Sequence, residues 1–268
     1  MKNNNHYMFD EIDTVDLANQ YGTPLYVVSE SYVLARCREI RENFINKYPK
    51  ARAVYASKAF QTLDMCRMIK EEGLGLDVVS GGELYTALKV GMDPSKIVFH
   101  GNNKTYEECT MALDNNVGTW VVDNLSELIM LDELTNRNKK KVKMLLRVTP
   151  GVDSHTHRFI STGHLDSKFG FSPETIKMQG IIEKALSMPY IDLLGFHFHV
   201  GSQLIDNRAH LLAMDILLDM IKDIRHKICF TPGELNIGGG FGIQYGGDPL
   251  RKPLTYFTDP LMEKLIEF

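Results

Sequence analysis

Short apolar runs alternate with amphipathic segments along most of the chain. Each run is bounded by turn residues, which is typical of a buried strand, and the segment after it carries apolar residues at helical spacing. Helices are therefore predicted after the strands and over residues 29–48, where Ser29 or Ser31 is the expected N-cap. Strands are predicted over residues 51–57, 75–80, 96–101, 119–123, 143–149, 191–201 and 234–239, with a shorter one at 24–28.

The alternation of strands and helices predicts the fold class. Strand–helix repeats form βαβ units with parallel pairing, and seven such strands in succession favour a TIM (β/α)8-type barrel over an open doubly wound sheet. A helix over residues 259–268 follows the seventh strand, and the eighth strand of a closed barrel has no counterpart. We therefore expect an α/β barrel with seven of eight strands, and we interpret the chain as a fragment or a truncated gene product.

Composition narrows the possible partners. The 268 residues are 44% hydrophobic and 24% charged with a net charge of −4, which is ordinary for a globular protein with a large core. The lack of a basic patch argues against a nucleic-acid partner, and no apolar run is long enough to cross a membrane. There is no signal-peptide pattern, and four scattered cysteines indicate neither a zinc site nor a disulfide framework. A cytoplasmic location is expected.

Polar residues stand near the carboxyl ends of five predicted strands. Barrel enzymes place their chemistry at this end, and the alternation of side chains along a strand turns some of these residues inward. Taken singly, a lysine here is usually a solvated charge, a histidine is usually structural, and an aspartate with an arginine is compatible with a simple ion pair. Their joint position favours an active site formed by Lys58, Asp77, His100, Arg147, His197 and His199.

A glycine run follows the last predicted strand, in NIGGGFGIQYGG. Its first three glycines, Gly238, Gly239 and Gly240, would let backbone amides approach a bound anion closely, and barrels commonly bind phosphate after strands 7 and 8. The dinucleotide-binding pattern fails, because its last glycine is replaced by Ile243 or Tyr245. A tight turn explains the glycines alone. Together with the Lys58 amine, they suggest a phosphate-bearing aldehyde cofactor, pyridoxal phosphate.

Six motifs in order along the chain resemble the alanine-racemase-like, fold-type III pyridoxal-phosphate decarboxylases. They are YASKA (55–59), GLDVVSGGEL (75–84), HGNNKT (100–105), RVTPGVDSHTHRFISTGHLDSKFGF (147–171), HFHVGSQ (197–203) and LNIGGGFGIQY (235–245). The HTH, TG and DSKFG pieces of the fourth motif are most similar to the branch of the family that decarboxylates meso-2,6-diaminopimelate to L-lysine. The resemblance extends over nearly the whole chain.

The resemblance implies a role for each candidate residue. Lys58 would carry pyridoxal 5′-phosphate as a Schiff base, and His199, the second catalytic residue, would stack on the cofactor ring. Asp77 would lie near the lysine and the cofactor. Arg147 and His197 would line the pocket behind these groups. The phosphate would be held by Ser202, Gly238, Gly239 and Gly240.

The resemblance also implies how the chain is organised. Residues 1–35 would be the N-terminal segment of a second, β-rich domain, and residues 36–268 an incomplete barrel that binds the cofactor. The full-length form would be a homodimer acting on a small amino acid in lysine biosynthesis. The family's Glu-Pro-Gly-Arg motif and its later Cys-Glu-Ser segment are absent from these residues. We therefore expect the 268 residues alone to bind the cofactor weakly or fold poorly, and not to turn over substrate.

Other functions remain open from the sequence. A related decarboxylase of another basic amino acid would differ mainly in residues that this sequence does not contain. A non-catalytic regulatory relative that binds pyridoxal phosphate has no need of a Schiff-base lysine, so the presence of Lys58 argues against it. A metal-dependent hydrolase on the same barrel lacks a ligand set, because no third ligand accompanies His197 and His199 at a typical spacing. No metal is therefore expected.

Overall fold

Seven parallel strands, hydrogen-bonded in chain order, form the centre of the molecule. The structure is a computed structural model that describes residues 5–152, 169–246 and 251–268. A separate antiparallel hairpin of two short strands precedes the sheet. In chain order the strands are β1 (Met8–Phe9), β2 (Ile12–Asp13), β3 (Val54–Ala56), β4 (Gly75–Val78), β5 (Ile97–Phe99), β6 (Thr119–Val122), β7 (Val142–Arg147), β8 (Ile191–His197) and β9 (Glu234–Asn236).

Helices connect the strands of the sheet, so the predicted βαβ alternation is confirmed. Polar N-caps start many of them: the Ser29 hydroxyl accepts the Tyr32 amide at 3.1 Å, which settles the choice between the two serines. In the described residues the helices are α1 (Thr14–Tyr21), α2 (Glu30–Ile40), α3 (Leu63–Glu71), α4 (Gly81–Lys89), α5 (Tyr106–Asp114), α6 (Leu125–Asn138), α7 (Thr175–Leu186), α8 (Arg208–Ile228) and α9 (Leu254–Glu267).

Side chains alternate between two cores, as expected for a barrel strand. One face of each strand packs under the helices, where Leu146 and Phe196 are fully buried in the main core. The opposite face forms a small inner cluster around Val98, Val121 and Leu145. Apolar side chains therefore fill the inside of the curved sheet below its carboxyl end, and polar residues that continue the inner face stand above them.

Contacts between the two ends of the sheet show that it curves into a barrel wall. Arg52, just before β3, donates to the Thr119 hydroxyl of β6 at 3.0 Å and pairs with Glu234 of β9. In the helix layer, Asp259 of α9 accepts from Lys47 at 2.7 Å and from the Tyr48 hydroxyl at 2.9 Å. Segments from opposite ends of the sequence therefore meet, and the seven-stranded barrel-type architecture is confirmed.

Several expectations about the elements and their boundaries were wrong. Residues 24–28 form no strand, and Tyr26 is 97% exposed. A strand needs a partner for its backbone groups, and the described residues pair none with this segment. The sheet strands β3 and β8 end earlier than predicted, so Lys58 lies in a 3₁₀ turn, Ser57–Ala59, and His199 lies beyond its strand. The last helix begins at Leu254 rather than residue 259.

Among the residues that the structure describes, none of the helices combines the length and the apolar character needed to cross a membrane.

Candidate active site

The carboxyl end of the sheet brings together the polar residues that the strand pattern placed there. Lys58 follows β3, and its ammonium is close enough to Asp77 of β4, His197 of β8 and His199 to shift their pKa values. The charge of Arg147, the last residue of β7, lowers the pKa values of the same three groups. Residues separated by up to about 140 positions therefore share one electrostatic environment. Lys58 itself is exposed at the mouth of this cluster.

Two neutral histidines lie at the base of the cluster. The His100 and His197 rings meet edge to face with centroids 4.3 Å apart. Burial lowers the pKa of both well below its ordinary value, and nearby cations, including Arg147, add to the shift. The Nε2 atom of His100 and the Nδ1 atom of His197 are buried without a hydrogen-bond partner in the described residues. The pair therefore presents buried polar atoms that a bound ligand could meet.

Asp77 is the carboxylate of the cluster. Its Oδ2 atom lies 4.0 Å from His100 Nε2, and its Oδ1 atom is buried without a partner among the described residues. Burial raises its pKa to about 7, opposed by the Lys58 charge and reinforced by Glu83. Because its pKa lies near 7, the Asp77 carboxyl beside the exposed amine can hold or release a proton at physiological pH.

The raised pKa of Asp77 predicts a pH-dependent stability. The folded protein holds this proton more tightly than the unfolded chain, whose carboxyl has the ordinary pKa of 3.8. Its contribution to the free energy of unfolding therefore falls as the pH rises from about 4 to about 7, and is constant above that. Asp77→Asn removes the cost of burying the charged carboxylate. We expect the variant to gain stability over wild type at about pH 8 and little at about pH 4, in urea unfolding without cofactor.

A matched control for this titration is Asp219→Asn, on the exposed face of α8. Its stability difference from wild type should be small at both pH values. The same difference for Asp77→Asn at both pH values would show that the folded Asp77 carboxyl titrates normally, and would contradict the prediction.

Arg147 is held by an aspartate that the sequence did not single out. Its Nη1 atom lies 3.3 Å from Oδ1 of Asp123, which follows β6, and the Gly170 amide donates to the other Asp123 oxygen at 3.1 Å. The guanidinium also lies over the Phe169 ring, 4.3 Å from its centroid. Arg147 thus pairs with Asp123 and not with Asp77, its partner in the simple ion pair that the sequence had left open as an alternative. These contacts fix the arginine over the site.

A buried ion pair lies next to this arginine support. Lys104, after β5, places its ammonium 2.5 Å from Glu127 of α6, and also donates to the carbonyls of Gly101 and Val121 at 2.7 and 2.8 Å. The second Glu127 oxygen accepts the Asp123 amide at 2.8 Å. Lys104 was present in the HGNNKT motif, but the sequence carried no sign that Glu127 would be its partner.

The glycine run forms a tight turn that packs against the segment after β8. A Cβ at Gly240, where φ is +88°, would lie 1.8 Å from the Gly201 carbonyl oxygen, and one at Gly238, where φ is +70°, would lie 2.5 Å from the Phe198 carbonyl oxygen. A Cβ at Gly239 meets nothing within 4 Å. Two of the glycines are therefore required by packing, and the middle one faces open space.

The turn lies beside the other predicted phosphate and ring contacts. The Gly239 amide points at His199 Nδ1 across 3.5 Å, and the Leu204 amide donates to the Gly240 carbonyl at 2.9 Å. Ser202 is exposed in the same loop as Leu204. The Gly238 amide is already engaged by the Asn236 side chain at 2.9 Å. An anion at this turn would therefore be met by other amides than that of Gly238.

Most of the segment with the most specific resemblance, residues 153–168, lies outside the described residues. Its HTH and TG pieces, which pointed to diaminopimelate, stay predictions from the sequence. The described residues contain no group of three or more His, Cys, Asp or Glu side chains arranged to hold a metal ion.

Comparisons with known proteins agree with this geometry. Residues 31–267 match the family described as pyridoxal-dependent decarboxylase, pyridoxal binding domain. The diaminopimelate decarboxylase of Bacillus methanolicus is 43% identical over 97% of this chain and 60% of its own length. The Bacillus subtilis enzyme of the same name is 42% identical over 98% of this chain and 60% of its own length.

A solved structure shares the fold closely. The crystal structure of diaminopimelate decarboxylase from M. jannaschii in co-complex with L-lysine superimposes with a TM-score of 0.90 at 32% identity. The match covers 99% of this chain and 62% of that one. The chain thus spans about 60% of the length of the relatives it matches.

Proposed function

Because the chain belongs to the pyridoxal-dependent decarboxylases, we propose that it forms the pyridoxal phosphate-binding part of a carboxy-lyase. The proposed reaction is decarboxylation of meso-2,6-diaminopimelate to L-lysine and CO₂. One observation carries the proposal. An exposed lysine, Lys58, lies beside buried neutral histidines at the carboxyl end of the barrel strands. The names of the relatives, and the L-lysine in the M. jannaschii complex, support the choice of substrate.

The residues present fit pyridoxal phosphate. Buried polar atoms of Asp77, His100 and His197 have no partner within the described chain, and unpaired buried polar atoms are costly unless a ligand meets them. The glycine turn offers open space at Gly239. Lys58 supplies the amine that an aldehyde requires. The aldehyde and the phosphate of the cofactor therefore each have a counterpart in this site.

We assign the binding roles as follows. Lys58 would hold the cofactor covalently through its amine, and His199 would stack on the ring. Asp77 would lie beside Lys58, while Arg147 and His197 line the pocket. The phosphate would be bound by Ser202 and the glycine turn of Gly238, Gly239 and Gly240. The Gly240 amide would be the donor, because the Gly238 amide donates to Asn236 and the Gly239 amide to His199.

When bound, pyridoxal phosphate supplies an electron sink for the pair left behind as the carboxylate departs. The chain's own residues orient and dry the site. Burial keeps the His100 and His197 rings neutral, so they add no charge to the site, and Arg147, held by Asp123, lines the pocket with a positive charge. Asp77, with a pKa of about 7, can hold a proton next to the Lys58 amine.

We also propose a wider context for the chain. Residues 1–35 would contribute to a second, β-rich domain, and the exposed apolar side chains of Leu25, Tyr26, Val27 and Val28 are consistent with a surface that another segment covers. Residues 36–268 would be the cofactor-binding barrel. The whole protein would work as a cytoplasmic homodimer. It would take a small amino acid as its substrate.

The proposal is tested by cofactor binding and by CO₂ release. Purified chain should bind pyridoxal phosphate, seen as a new long-wavelength absorbance. Release of CO₂ from carboxyl-labelled substrates should be measured for this chain, and for a chimera in which the unmatched remainder of the Bacillus subtilis relative follows Phe268. Diaminopimelate should be preferred over lysine, ornithine and arginine. Failure of both proteins to bind the cofactor would refute the assignment, and a preference for another amino acid would correct the substrate.

A further inference from the structure

A buried histidine of α8 contacts the glycine turn. His210, in the first turn of α8, is fully buried, and its Nε2 atom lies 3.0 Å from the carbonyl oxygen of Gly239. Its ring packs against those of Phe241, with centroids 5.2 Å apart, and Phe257, at 6.2 Å. Aromatic neighbours on two sides hold the imidazole in one orientation.

The contact specifies where the His210 proton lies. A carbonyl oxygen can only accept, so Nε2 must donate and the ring is the Nε2–H tautomer. Burial lowers the pKa of His210, and the bond to Gly239 only partly opposes this, which keeps the ring neutral at physiological pH. The Nδ1 atom is buried without a partner in the described residues. Within the described residues, the hydrogen bond of the His210 ring is therefore the one to the glycine turn.

That contact sets the direction of an amide. The Gly239–Gly240 peptide is planar and trans, so its carbonyl and its N–H point in opposite directions. With the Gly239 carbonyl directed at His210, the Gly240 N–H points away from α8. The Gly240 carbonyl is held separately by the Leu204 amide at 2.9 Å. The bond to His210 is thus the one that restrains the Gly239–Gly240 peptide, and glycine on both sides leaves that peptide more rotational freedom if the bond is lost.

We propose that His210 is a positioning residue for anion binding: its Nε2–H locks the Gly239–Gly240 peptide so that the Gly240 amide is directed at the cofactor phosphate. This rests on the proposed function, in which the turn binds the phosphate of pyridoxal phosphate. The Gly238 amide is already used by Asn236, which leaves the turn few donors. The loss of orientation in one amide should therefore be measurable.

The test compares a ligand that carries the phosphate with one that lacks it. Dissociation constants for pyridoxal phosphate and for pyridoxal are measured by equilibrium dialysis on purified wild-type chain, His210→Phe and His210→Gln. Phenylalanine keeps the ring and removes the donor, whereas glutamine can donate from its amide. The control is His226→Phe, an exposed position in the last turn of α8.

We expect His210→Phe to bind pyridoxal phosphate about tenfold more weakly and pyridoxal unchanged, since one oriented hydrogen bond is lost. His210→Gln should recover most of the affinity, and His226→Phe should match wild type. If pyridoxal and pyridoxal phosphate weaken equally in His210→Phe, or if neither changes, the inference is overturned while the proposed function stands. Wild-type chain that does not prefer pyridoxal phosphate over pyridoxal overturns the phosphate assignment itself.

A measurement on wild type keeps the test decisive if His210→Phe does not fold. Long-range ¹H–¹⁵N spectra should show His210 as the Nε2–H tautomer, with exchange of that proton slowed by pyridoxal phosphate and not by pyridoxal. An Nδ1–H tautomer, or equal slowing by both ligands, would overturn the inference.

Discussion

Replacing Lys58 with alanine is expected to abolish covalent capture of pyridoxal phosphate. The amine is the group that an aldehyde cofactor needs, and Lys58 lies exposed at the mouth of the polar cluster in the 3₁₀ turn Ser57–Ala59. After borohydride treatment, wild-type chain should carry the mass of the reduced cofactor on the peptide with Lys58, and the variant should carry none there. Where turnover is measurable, it should fall by at least about a thousandfold.

Two further variants distinguish loss of the reactive amine from loss of positive charge and from the general effect of removing a surface lysine. Lys58→Arg keeps the positive charge but cannot form the covalent bond, so it should retain part of the non-covalent affinity and none of the capture. Lys89→Ala, on the exposed surface of α4, should behave as wild type. Because Lys58 is exposed, its loss should leave the unfolding midpoint nearly unchanged. Capture in Lys58→Ala equal to that in wild type would remove Lys58 from the site.

Replacing Lys104 with methionine should be the most destabilising of the substitutions considered for this barrel. The ammonium neutralises a buried carboxylate, Glu127, and satisfies two backbone carbonyls. Methionine leaves that carboxylate buried and unpaired, which costs about 3–5 kcal/mol of unfolding free energy. Urea unfolding monitored by circular dichroism measures the loss. The exposed pair of Lys140 and Asp114 is the control, because Lys140→Met should cost at most about 1 kcal/mol.

A double-mutant cycle shows whether the pair itself is responsible. Glu127→Gln alone leaves the Lys104 charge unpaired, whereas Lys104→Met with Glu127→Gln leaves no buried charge. The double variant should therefore be less destabilised than the sum of the single variants by at least about 1 kcal/mol. Additive losses would mean that each side chain acts through packing, and that the ion pair carries no coupling energy.

Breaking the Lys104–Glu127 pair should also change the position of Arg147 in the site. Glu127 holds the Asp123 amide, and the Asp123 carboxylate holds Arg147. The three groups follow or flank neighbouring strands, so the support of Arg147 is assembled across the sheet. The Lys104–Glu127 and Asp123–Arg147 contacts join residues 23 and 24 positions apart, which the sequence pattern could not pair, whereas the Asp123–Glu127 contact spans only four positions.

The faces of the strands could be predicted because alternation is a local property. In the structure Leu146 and Phe196 lie under the helices, and their neighbours Arg147 and His197 lie in the polar cluster, as alternation predicts. The period of the pattern suffices, since successive side chains on a strand point to opposite sides. The strand prediction at residues 24–28 failed for the complementary reason. Its composition suits a strand, yet strand formation needs hydrogen bonds from a partner, and local composition does not report one.

The sequence by itself determined the order of the sheet strands, their inner and outer faces, and the gathering of Lys58, Asp77 and the histidines at one end, because periodicity and parallel βαβ topology follow from local pattern. Only the tertiary structure decided which charges pair and which polar atoms stay unused. His210 was one residue of an amphipathic helix until packing placed it on the Gly239 carbonyl, and Lys104 was a polar motif residue until folding buried it against Glu127. Burial and pairing depend on what lies opposite in space, and that is decided only when distant segments meet.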